Sequence, residues 1–377
     1  MNEPKTQPTT RRSDAPRPGR RTFLLAAGAA TVAMPQVSRA QTVSWKFQSA
    51  WSTREIHHEF AVDYARKVGD MTGGRLRLNV LAAGSVVPPF QLAEASHTGI
   101  LQGGYGMALS ALGKHRAHAL FGNPPPFGWD SHGFLGWFYH GGGEALYREL
   151  VNDILKLNLT GFLSHPMPTQ PLGWFRKEMI SPADFKGLRY RTVGLAVDVF
   201  KEIGANVVLL PSGEIVATME RGLLDAAEIS NPTSDLALGL PEAAKVYMLG
   251  SHHRQASACE VVFNKAAFDA LPAEIRAILR HAAAAASSDQ VGLTYARYSK
   301  DLAEIRKRGV NVVKTGEAVL RAELEAWDRL LAAWAKEAFF AKVLASQAAW
   351  VKQTVPYLQA NNLDSAALHA AYRHFFG

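Results

Sequence analysis

The chain has 377 residues, of which 47% are hydrophobic and 20% charged, so it can bury a large core and favours about two domains. Its formal net charge is +8, but most of that excess lies within the first 40 residues and argues little for a nucleic-acid partner. The single cysteine, Cys259, excludes an internal disulfide framework.

The first 40 residues predict an export signal. An Arg-rich polar start leads to the apolar run 23–34 and then to Ser-Arg-Ala, which is typical of a signal peptide cleaved after Ala40. The apolar run is too short to span a bilayer. Arg20 and Arg21 resemble a twin-arginine signal, although Sec export stays open, and the alternative is a disordered basic tail. We therefore expect a periplasmic mature protein.

After the leader, strand and helix patterns alternate. The run "TVSWKFQSAW" predicts a first strand, and Ser52 with Glu55 forms a capping-box pattern ahead of a helix. The apolar face of that helix has residues at helical spacing, namely Ile56, Phe60, Tyr64 and Val68. The alternating run "RLRLNVLA" predicts a half-buried strand. Strand, helix and strand in this order predict an α/β fold.

Two segments at a constant offset share one pattern. The run "PPFQLAEASHTGILQGGY" begins at Pro88 and "PSGEIVATMERGLLDAAE" begins at Pro211, and each reads proline, helix, glycine, strand. This pairing aligns Tyr105 with Glu228 at the two strand ends. Ligands of open α/β sheets bind beyond the carboxyl ends of strands, so two similar lobes would place Tyr105 and Glu228 across one cleft.

Glu228 ends an apolar run that predicts a buried strand, where an ionised carboxylate needs a positive or hydrogen-bonding partner. Arg191, on the predicted strand "LRYRT", has a planar fork that can hold a carboxylate through two hydrogen bonds. Arg189 alternates with it on the same strand. Gln170 brings an amide from the proline-rich crossover before "LGWFR". The alternative is that Glu228 forms only a salt bridge to Arg189 or Arg191.

A resemblance to a known family is carried by seven segments in order: "GGRLRLNVLAAGSVVP", "QLAEASHTGILQGGYG", "PPFGWDSHGFLGWFYHGGGEAL", "QPLGWFRKE", "DFKGLRYRTVG", "GANVVLLPSGEIVATMERGLLDAAE" and "EVVFNKAAFDALP". Together they resemble the periplasmic solute-binding subunits of tripartite ATP-independent periplasmic (TRAP) transporters. They are most similar to the subgroup that binds 2-oxo and hydroxy acids with a metal ion. The resemblance extends over essentially the whole mature chain.

The resemblance implies a role for each position singled out above. Arg191 would pair with the ligand carboxylate, while Gln170 and Glu228 would bind the metal ion. The backbone carbonyl of Ile229 would complete the metal site. The family usually has tryptophan there, so isoleucine keeps the carbonyl but removes an aromatic wall, and the ligand's identity stays open. Trp129 is a candidate for the cleft wall.

The charges of the predicted site do not decide whether the metal ion would be sodium or calcium. Glu228 and a ligand carboxylate would be balanced by Arg191 and a sodium ion. If Glu260 also faced inward, a calcium ion would balance the charges equally well. Amide, carboxylate and carbonyl oxygens are hard donors that suit sodium or calcium rather than zinc.

The motifs of cofactor enzymes are missing from the sequence. It contains no Walker loop, Rossmann glycine fingerprint or H-E-x-x-H motif, and its "HGGG" lacks the G-x-S-x-G turn of esterases. The resemblance implies a two-lobed periplasmic-binding-protein-like fold that closes on a small organic anion together with a bound metal cation and delivers the anion to the membrane subunits of the transporter. The alternative is an exported metal-assisted enzyme acting on a hydroxy or keto acid, with Glu228 as base and Arg191 as substrate anchor.

The predicted layout is a leader at 1–40, a first lobe at 41–167 plus about 256–300, a second lobe at 168–255, and a helical region at about 301–377 across both lobes. The run from Val319 to Gln353 has no glycine or proline and predicts one long helix. That helix would pack on its own chain or form a homodimer by helix exchange, as in some relatives.

Overall fold

A computed structural model describes residues 42–108, 113–362 and 364–376, and residues 42 to 377 belong to one compact unit. The predicted export signal at 1–40 lies outside the described residues. The described chain forms two β-sheets flanked by helices, which confirms the predicted α/β class. No helix among the described residues is both long and apolar enough to cross a membrane.

The strands are β1 (Val43–Ser49), β2 (Leu76–Leu81), β3 (Gly103–Gly106), β4 (Leu159–Met167), β5 (Gly173–Phe175), β6 (Arg189–Arg191), β7 (Asn206–Val208), β8 (Ala226–Ala227), β9 (Val246–Leu249), β10 (Ser257–Asn264) and β11 (Asn311–Lys314). The first sheet has the order β2-β1-β3-β10-β4, and the second has the order β11-β9-β5-β8-β6-β7. In the first sheet β1 is parallel to β2 and β3, whereas β10 is antiparallel to β3 and β4. Each sheet is therefore the centre of one lobe.

The helices are α1 (Ile56–Met71), α2 (Leu92–His97), α3 (Ser131–His140), α4 (Gly143–Arg148), α5 (Ala196–Ile203), α6 (Ile215–Glu220), α7 (Pro232–Leu238), α8 (Leu240–Ala243), α9 (Lys265–Asp269), α10 (Ala273–Lys307), α11 (Glu317–Trp334), α12 (Ala338–Asn361) and α13 (Ser365–Phe376). Short helical turns occur at Pro89–Gln91, Arg116–Phe121, Glu149–Ile154, Pro182–Phe185, Ser212–Glu214 and His252–Arg254.

Helix α1 shows how the sequence pattern becomes packing. The four apolar residues predicted to share one helix face are all buried, and they join strand β1 and helix α10 in one core cluster. The Glu55 carboxylate accepts hydrogen bonds from the backbone and hydroxyl of Ser52, both at 3.0 Å, but the helix begins at Ile56, so these bonds stabilise the turn before the helix and do not form the predicted capping box. Gly73 and Gly74 follow the helix with φ of 59° and 77°, a conformation that favours glycine and turns the chain into β2.

The two segments matched in the sequence have the same structure. Each consists of a short helical turn, a six-residue helix and a strand: Pro89–Gln91, α2 and β3 in the first lobe, and Ser212–Glu214, α6 and β8 in the second. Gly104 in β3 is required for close packing, because a Cβ there would lie 2.5 Å from a Leu92 methyl group. The predicted internal similarity is therefore confirmed at the level of the fold.

The chain crosses between the lobes at 168–172 and 250–256, and again after α10. The first two crossings run side by side, because the backbone N–H of Gln170 donates to the carbonyl of Arg254 at 3.1 Å. Helix α10 packs against α1 and β4 in the first lobe and against α7 in the second. It therefore runs along both lobes.

The C-terminal region differs from its prediction in two ways. The run predicted as one helix contains two, α11 and α12, because the Glu337 carboxylate caps a new helix start by accepting from the N–H groups of Phe339 and Phe340 at 2.8 and 2.6 Å. In addition, β11 pairs in parallel with β9, so part of the region predicted as helical belongs to the second sheet. Helix α11 packs on α5 of the second lobe and α12 on α3 and α4 of the first.

Candidate functional site

A cavity of about 90 Å³ lies between the two lobes. Its first-lobe wall includes Trp51, Glu55, His57, Phe90, Leu92 and Met107. Its second-lobe wall includes Gln170, Arg191, Ser212, Ile229, Ser230 and Arg254. The lobes also touch beside the cavity, where the N–H of Ile56 donates to the Ser234 hydroxyl at 3.4 Å and Arg54 donates to the carbonyl of Ala237. The structure therefore shows a closed arrangement of the lobes.

Arg191 is held at the end of β6 with its guanidinium fixed by backbone oxygens. Its Nε donates to the carbonyl of Leu210 at 2.8 Å, and its Nη1 donates to the carbonyl of Glu228 at 2.6 Å. Burial lowers the pKa of Arg191, and the nearby charge of Glu228 partly offsets this effect. Arg189 instead forms an exposed ion pair with Asp225. Arg191 is thus the strand arginine that faces the cavity.

The Glu228 carboxylate is completely buried and lies between two arginines. Thr192 donates a hydrogen bond to its Oε2 at 3.0 Å, and Nη1 of Arg191 lies 3.8 Å from the same oxygen. On the other side, Nη1 of Arg254 lies 3.7 Å from Oε1. Oε1 has no hydrogen-bond partner among the described residues. The buried charge of Glu228 is therefore met by two arginines, Arg191 and Arg254. The alternative of a salt bridge to Arg191 accounts for only one of these two contacts.

Arg254 comes from the short turn that precedes β10 and is only 2% exposed. Its Nη1 donates to Oε1 of Gln170 at 3.1 Å, and Thr169 donates to the carbonyl of Gln255 at 3.0 Å. The two crossing segments thus hold the guanidinium beside Glu228. Nε and Nη2 of Arg254 have no hydrogen-bond partner among the described residues.

The metal donors predicted from the resemblance must be tested against this geometry. Gln170 Oε1 and Glu228 Oε1 lie near each other and are hard oxygen donors, but both face Nη1 of Arg254. An ion bound by both would lie within about 2.6 Å of each oxygen, beside a nitrogen that already contacts them. The side chains in this arrangement do not fit a metal ion.

Glu260 was expected near the metal and lies elsewhere. Its side chain accepts a hydrogen bond from the hydroxyl of Tyr147 in the first lobe, and it does not line the cavity. Burial raises the pKa of Glu260 to about 7, and the hydrogen bond from Tyr147 acts in the opposite direction. The expectation fails because β10 presents successive side chains to opposite faces, and position 260 points away from the cavity.

Two predicted aromatic contacts also differ in position. The Tyr105 hydroxyl bonds with Gln290 of α10 at 3.2 Å, and the side chain is completely buried. The next residues, Gly106 and Met107, line the cavity instead. Trp129 donates from its indole nitrogen to the carbonyl of Pro125 at 3.1 Å and belongs to a first-lobe core cluster. Neither predicted aromatic side chain faces the cavity.

Four cavity residues, Trp51, Glu55, His57 and Arg254, were not assigned to the site from the sequence. Trp51 stacks on His57 with ring centroids 4.6 Å apart, and burial, followed by the charge of Arg254, lowers the pKa of His57 to about 3. Burial raises the pKa of the Glu55 carboxyl. Trp51 had a usable signal, since it is the last residue of the predicted first strand. Arg254 had no sequence signal, because a single arginine in a segment that connects two lobes is normally a solvated side chain.

Comparisons with known proteins find relatives along most of the chain. Residues 47–338 match the model of the family described as bacterial extracellular solute-binding protein, family 7. A monocarboxylate 2-oxoacid-binding periplasmic protein of Nostoc sp. is 30% identical over 357 residues, which covers 92% of this chain and 97% of the relative.

Two solved structures of TRAP periplasmic solute-binding proteins each have 26% identity and a TM-score of 0.80, and each covers 89% of this chain and 100% of its own. The one from Colwellia psychrerythraea holds calcium and pyruvate, and the one from Pseudoalteromonas atlantica holds sodium and pyruvate. A third, from Bordetella bronchiseptica, matches with a TM-score of 0.84 at 24% identity and supports the fold.

The predicted two-lobed fold is therefore confirmed, and the ions predicted from the resemblance, sodium or calcium, are both found with the carboxylate ligand in relatives. The family consists of solute-binding receptors, which does not favour the alternative of an exported enzyme. The chain belongs to the DctP family of bacterial extracellular solute-binding proteins, the receptor subunits of TRAP transporters.

Proposed function

We propose that this chain captures a small monocarboxylate in the periplasm, with a 2-oxo acid as the favoured class, and delivers it to the membrane subunits of a TRAP transporter. The observation that carries the proposal is the cavity between the lobes, with the buried Arg191 and Arg254 in its wall. An anion there replaces its water shell with guanidinium donors that are already held in place, Arg191 by two backbone oxygens and Arg254 by the Gln170 side chain, so little reorganisation opposes binding.

The cavity size favours a ligand of few atoms. Pockets for drug-sized molecules occupy about 300–1,000 Å³, whereas this closed cavity is about 90 Å³. Trp51, Phe90 and Leu92 provide apolar surface for a short aliphatic end. The relatives' pyruvate and 2-oxoacids have this combination of one carboxylate and a short apolar end.

Binding would be coupled to lobe closure. The carboxylate would contact Arg191 from the second lobe, and Gln170 would donate from its Nε2, whose one protein contact among the described residues is the Met167 sulfur at 3.9 Å. The rest of the ligand would contact the first-lobe wall. A ligand that touches both lobes stabilises the closed state selectively, which is how its presence would be signalled to the transporter.

The location and assembly of the mature protein follow from other parts of the chain. The predicted leader at 1–40 fits a family of extracellular receptors. A homodimer formed by helix exchange stays a prediction, and it is supported by helix α13, on which Leu368, Tyr372, Phe375 and Phe376 are exposed. Sedimentation of the mature protein at micromolar concentration tests it, and a monomer with all helices present would count against it.

Calorimetry on the purified mature protein tests the proposed function. Pyruvate and other short 2-oxo and hydroxy acids should bind with one site per chain, while dicarboxylates and longer acids should bind more weakly because the cavity is small. Thermal melting with the same panel, with and without sodium or calcium, gives an independent readout. A chain that binds none of these acids under either condition would refute the proposal.

A further inference from the structure

The positive charge beside Gln170 and Glu228 comes from the chain itself. Arg254 Nη1 lies 3.1 Å from Gln170 Oε1 and 3.7 Å from Glu228 Oε1, the two side-chain oxygens that the family resemblance assigns to a metal ion. The arginine is 2% exposed and lines the cavity. Its backbone carbonyl accepts from the N–H of Gln170, so its position is tied to that residue twice.

The charges of Arg191, Arg254 and Glu228 balance with that of a bound acid without an added cation. Arg191 and Arg254 contribute two positive charges, and Glu228 contributes one negative charge. The carboxylate of a bound acid supplies the second negative charge. Glu55 also lines the cavity, where burial raises the pKa of its carboxyl and hydrogen bonds from Ser52 act in the opposite direction. A sodium or calcium ion would add a further positive charge beside Arg254, in a place shielded from water.

We propose that the guanidinium of Arg254 takes the place of the metal ion, so that this receptor binds its carboxylate without a metal. The inference rests on the proposed function, because it concerns how the same site holds the same class of ligand. It differs from the two pyruvate-bound relatives, whose sites contain calcium or sodium.

The chemistry of arginine suits this role. A guanidinium keeps its charge in a buried site and presents several donors in a fixed plane. Nη1 already donates to Gln170, which leaves Nε and Nη2 without partners among the described residues. These two nitrogens form one edge of the guanidinium plane, and such an edge pairs with both oxygens of a carboxylate. Buried donors without partners are costly, so a ligand that satisfies them gains affinity.

The first experiment uses the unaltered mature protein. It is dialysed against a chelator, transferred to a buffer with choline as the cation, and titrated with pyruvate by calorimetry before and after calcium or sodium is added. We expect the Kd to change by less than about threefold, because the cation is built into the chain. A loss of more than about tenfold on metal removal, restored by either ion, would overturn the inference while leaving the proposed function intact.

The second experiment changes Arg254 itself. The substitution Arg254→Gln removes the positive charge and places an amide oxygen near Gln170 Oε1 and Glu228 Oε1. Pyruvate binding without metal should then fall at least about thirtyfold, as expected for a lost buried charge pair. Titration with calcium alone, without any acid, should show one site in this variant and none in the unaltered chain. Unchanged binding in chelator, or a calcium site in the unaltered chain, would overturn the inference.

A matched variant controls for charge and folding. Arg189→Gln removes a positive charge that lies outside the cavity and pairs with Asp225, so it should leave both titrations unchanged. Should Arg254→Gln fail to fold, the titration of the unaltered protein still decides the matter. If the unaltered protein binds no carboxylate with or without metal, the proposed function fails rather than the role of Arg254.

Discussion

The first-lobe wall of the cavity is mainly aromatic and apolar, whereas the second-lobe wall and the crossing segments supply arginines and an amide. His57, on the first wall, is kept neutral because burial lowers its pKa to about 3. Arg191 keeps its place on the second wall through two backbone oxygens. We therefore expect the second-lobe wall to bind the carboxylate and the first-lobe wall to select the rest of the ligand.

The strongest way to break this division is Arg191→Ala. Removing a fixed guanidinium from a buried carboxylate site should cost about 2–5 kcal/mol, so pyruvate binding should fall by roughly thirtyfold to several thousandfold. Calorimetry measures the loss. The exposed neighbour supplies the control, since Arg189→Ala should bind normally. Equal affinities for the two variants would remove Arg191 from the site.

The next largest effect should come from Glu228→Gln, which leaves two buried arginines without their shared anion. Breaking a buried ion pair by removing one partner is strongly destabilising, so the ligand-free protein should melt at a lower temperature. The carboxylate ligand would then supply the missing charge, and the rise in Tm caused by pyruvate should be larger than in the unaltered protein.

Thermal melting with and without pyruvate measures both effects of Glu228→Gln. Asp225→Asn is the control, because it removes a carboxylate that pairs with the exposed Arg189. A smaller pyruvate-induced shift in Glu228→Gln than in the control would indicate that Glu228 acts through a bound metal ion instead.

A smaller effect is expected on the first wall. Trp51→Ala removes the ring that stacks on His57, and pyruvate binding should weaken by roughly three- to tenfold, the scale of one aromatic contact.

Trp129→Phe tests the prediction that position 129 belongs to the cleft wall. Because its indole lies in a core cluster, this variant should lower the Tm and leave the Kd unchanged. A weaker Kd for pyruvate in Trp129→Phe would show that Trp129 contacts the ligand, contrary to its place in the core cluster.

We expect no effect on ligand binding from a substitution of His118, a buried first-lobe histidine that does not line the cavity. His118 contacts the carbonyl of Ala108 through Nδ1 at 3.0 Å and lies beside the Tyr147 ring. Burial lowers the pKa of His118 to about 4, and the nearby His115 acts in the same direction. The folded state therefore takes up the proton less readily than the unfolded chain, whose value is near 6.5.

The sign of the resulting pH dependence follows from this difference. Stability supplied by neutral His118 is fully present above about pH 6.5 and is lost as the pH falls toward 4. The difference in Tm between the unaltered protein and His118→Asn should therefore be constant above that pH and shrink by a few degrees in acid. A difference that grows in acid would show that the histidine is charged in the folded state.

Local patterns in the sequence determined much of the fold. The helical spacing in α1, the alternation in β2 and the repeated turn, helix and strand each depend on neighbouring residues, and each is present in the structure. The sequence also singled out Arg191, Gln170 and Glu228, which the structure brings together. A charged residue at the end of an apolar strand is a local signal with a physical cost attached to it, and for that reason it can be found without coordinates.

Only the tertiary structure decided which side chains share the site. Tyr105 and Glu260 were expected there because they lie on the right strands, but the direction of a side chain depends on which face of the strand another element covers. Arg254 reaches Glu228 because two crossing segments run side by side, a pairing between distant parts of the chain. No local pattern records such a contact, and it is the contact that gives this cavity its second positive charge.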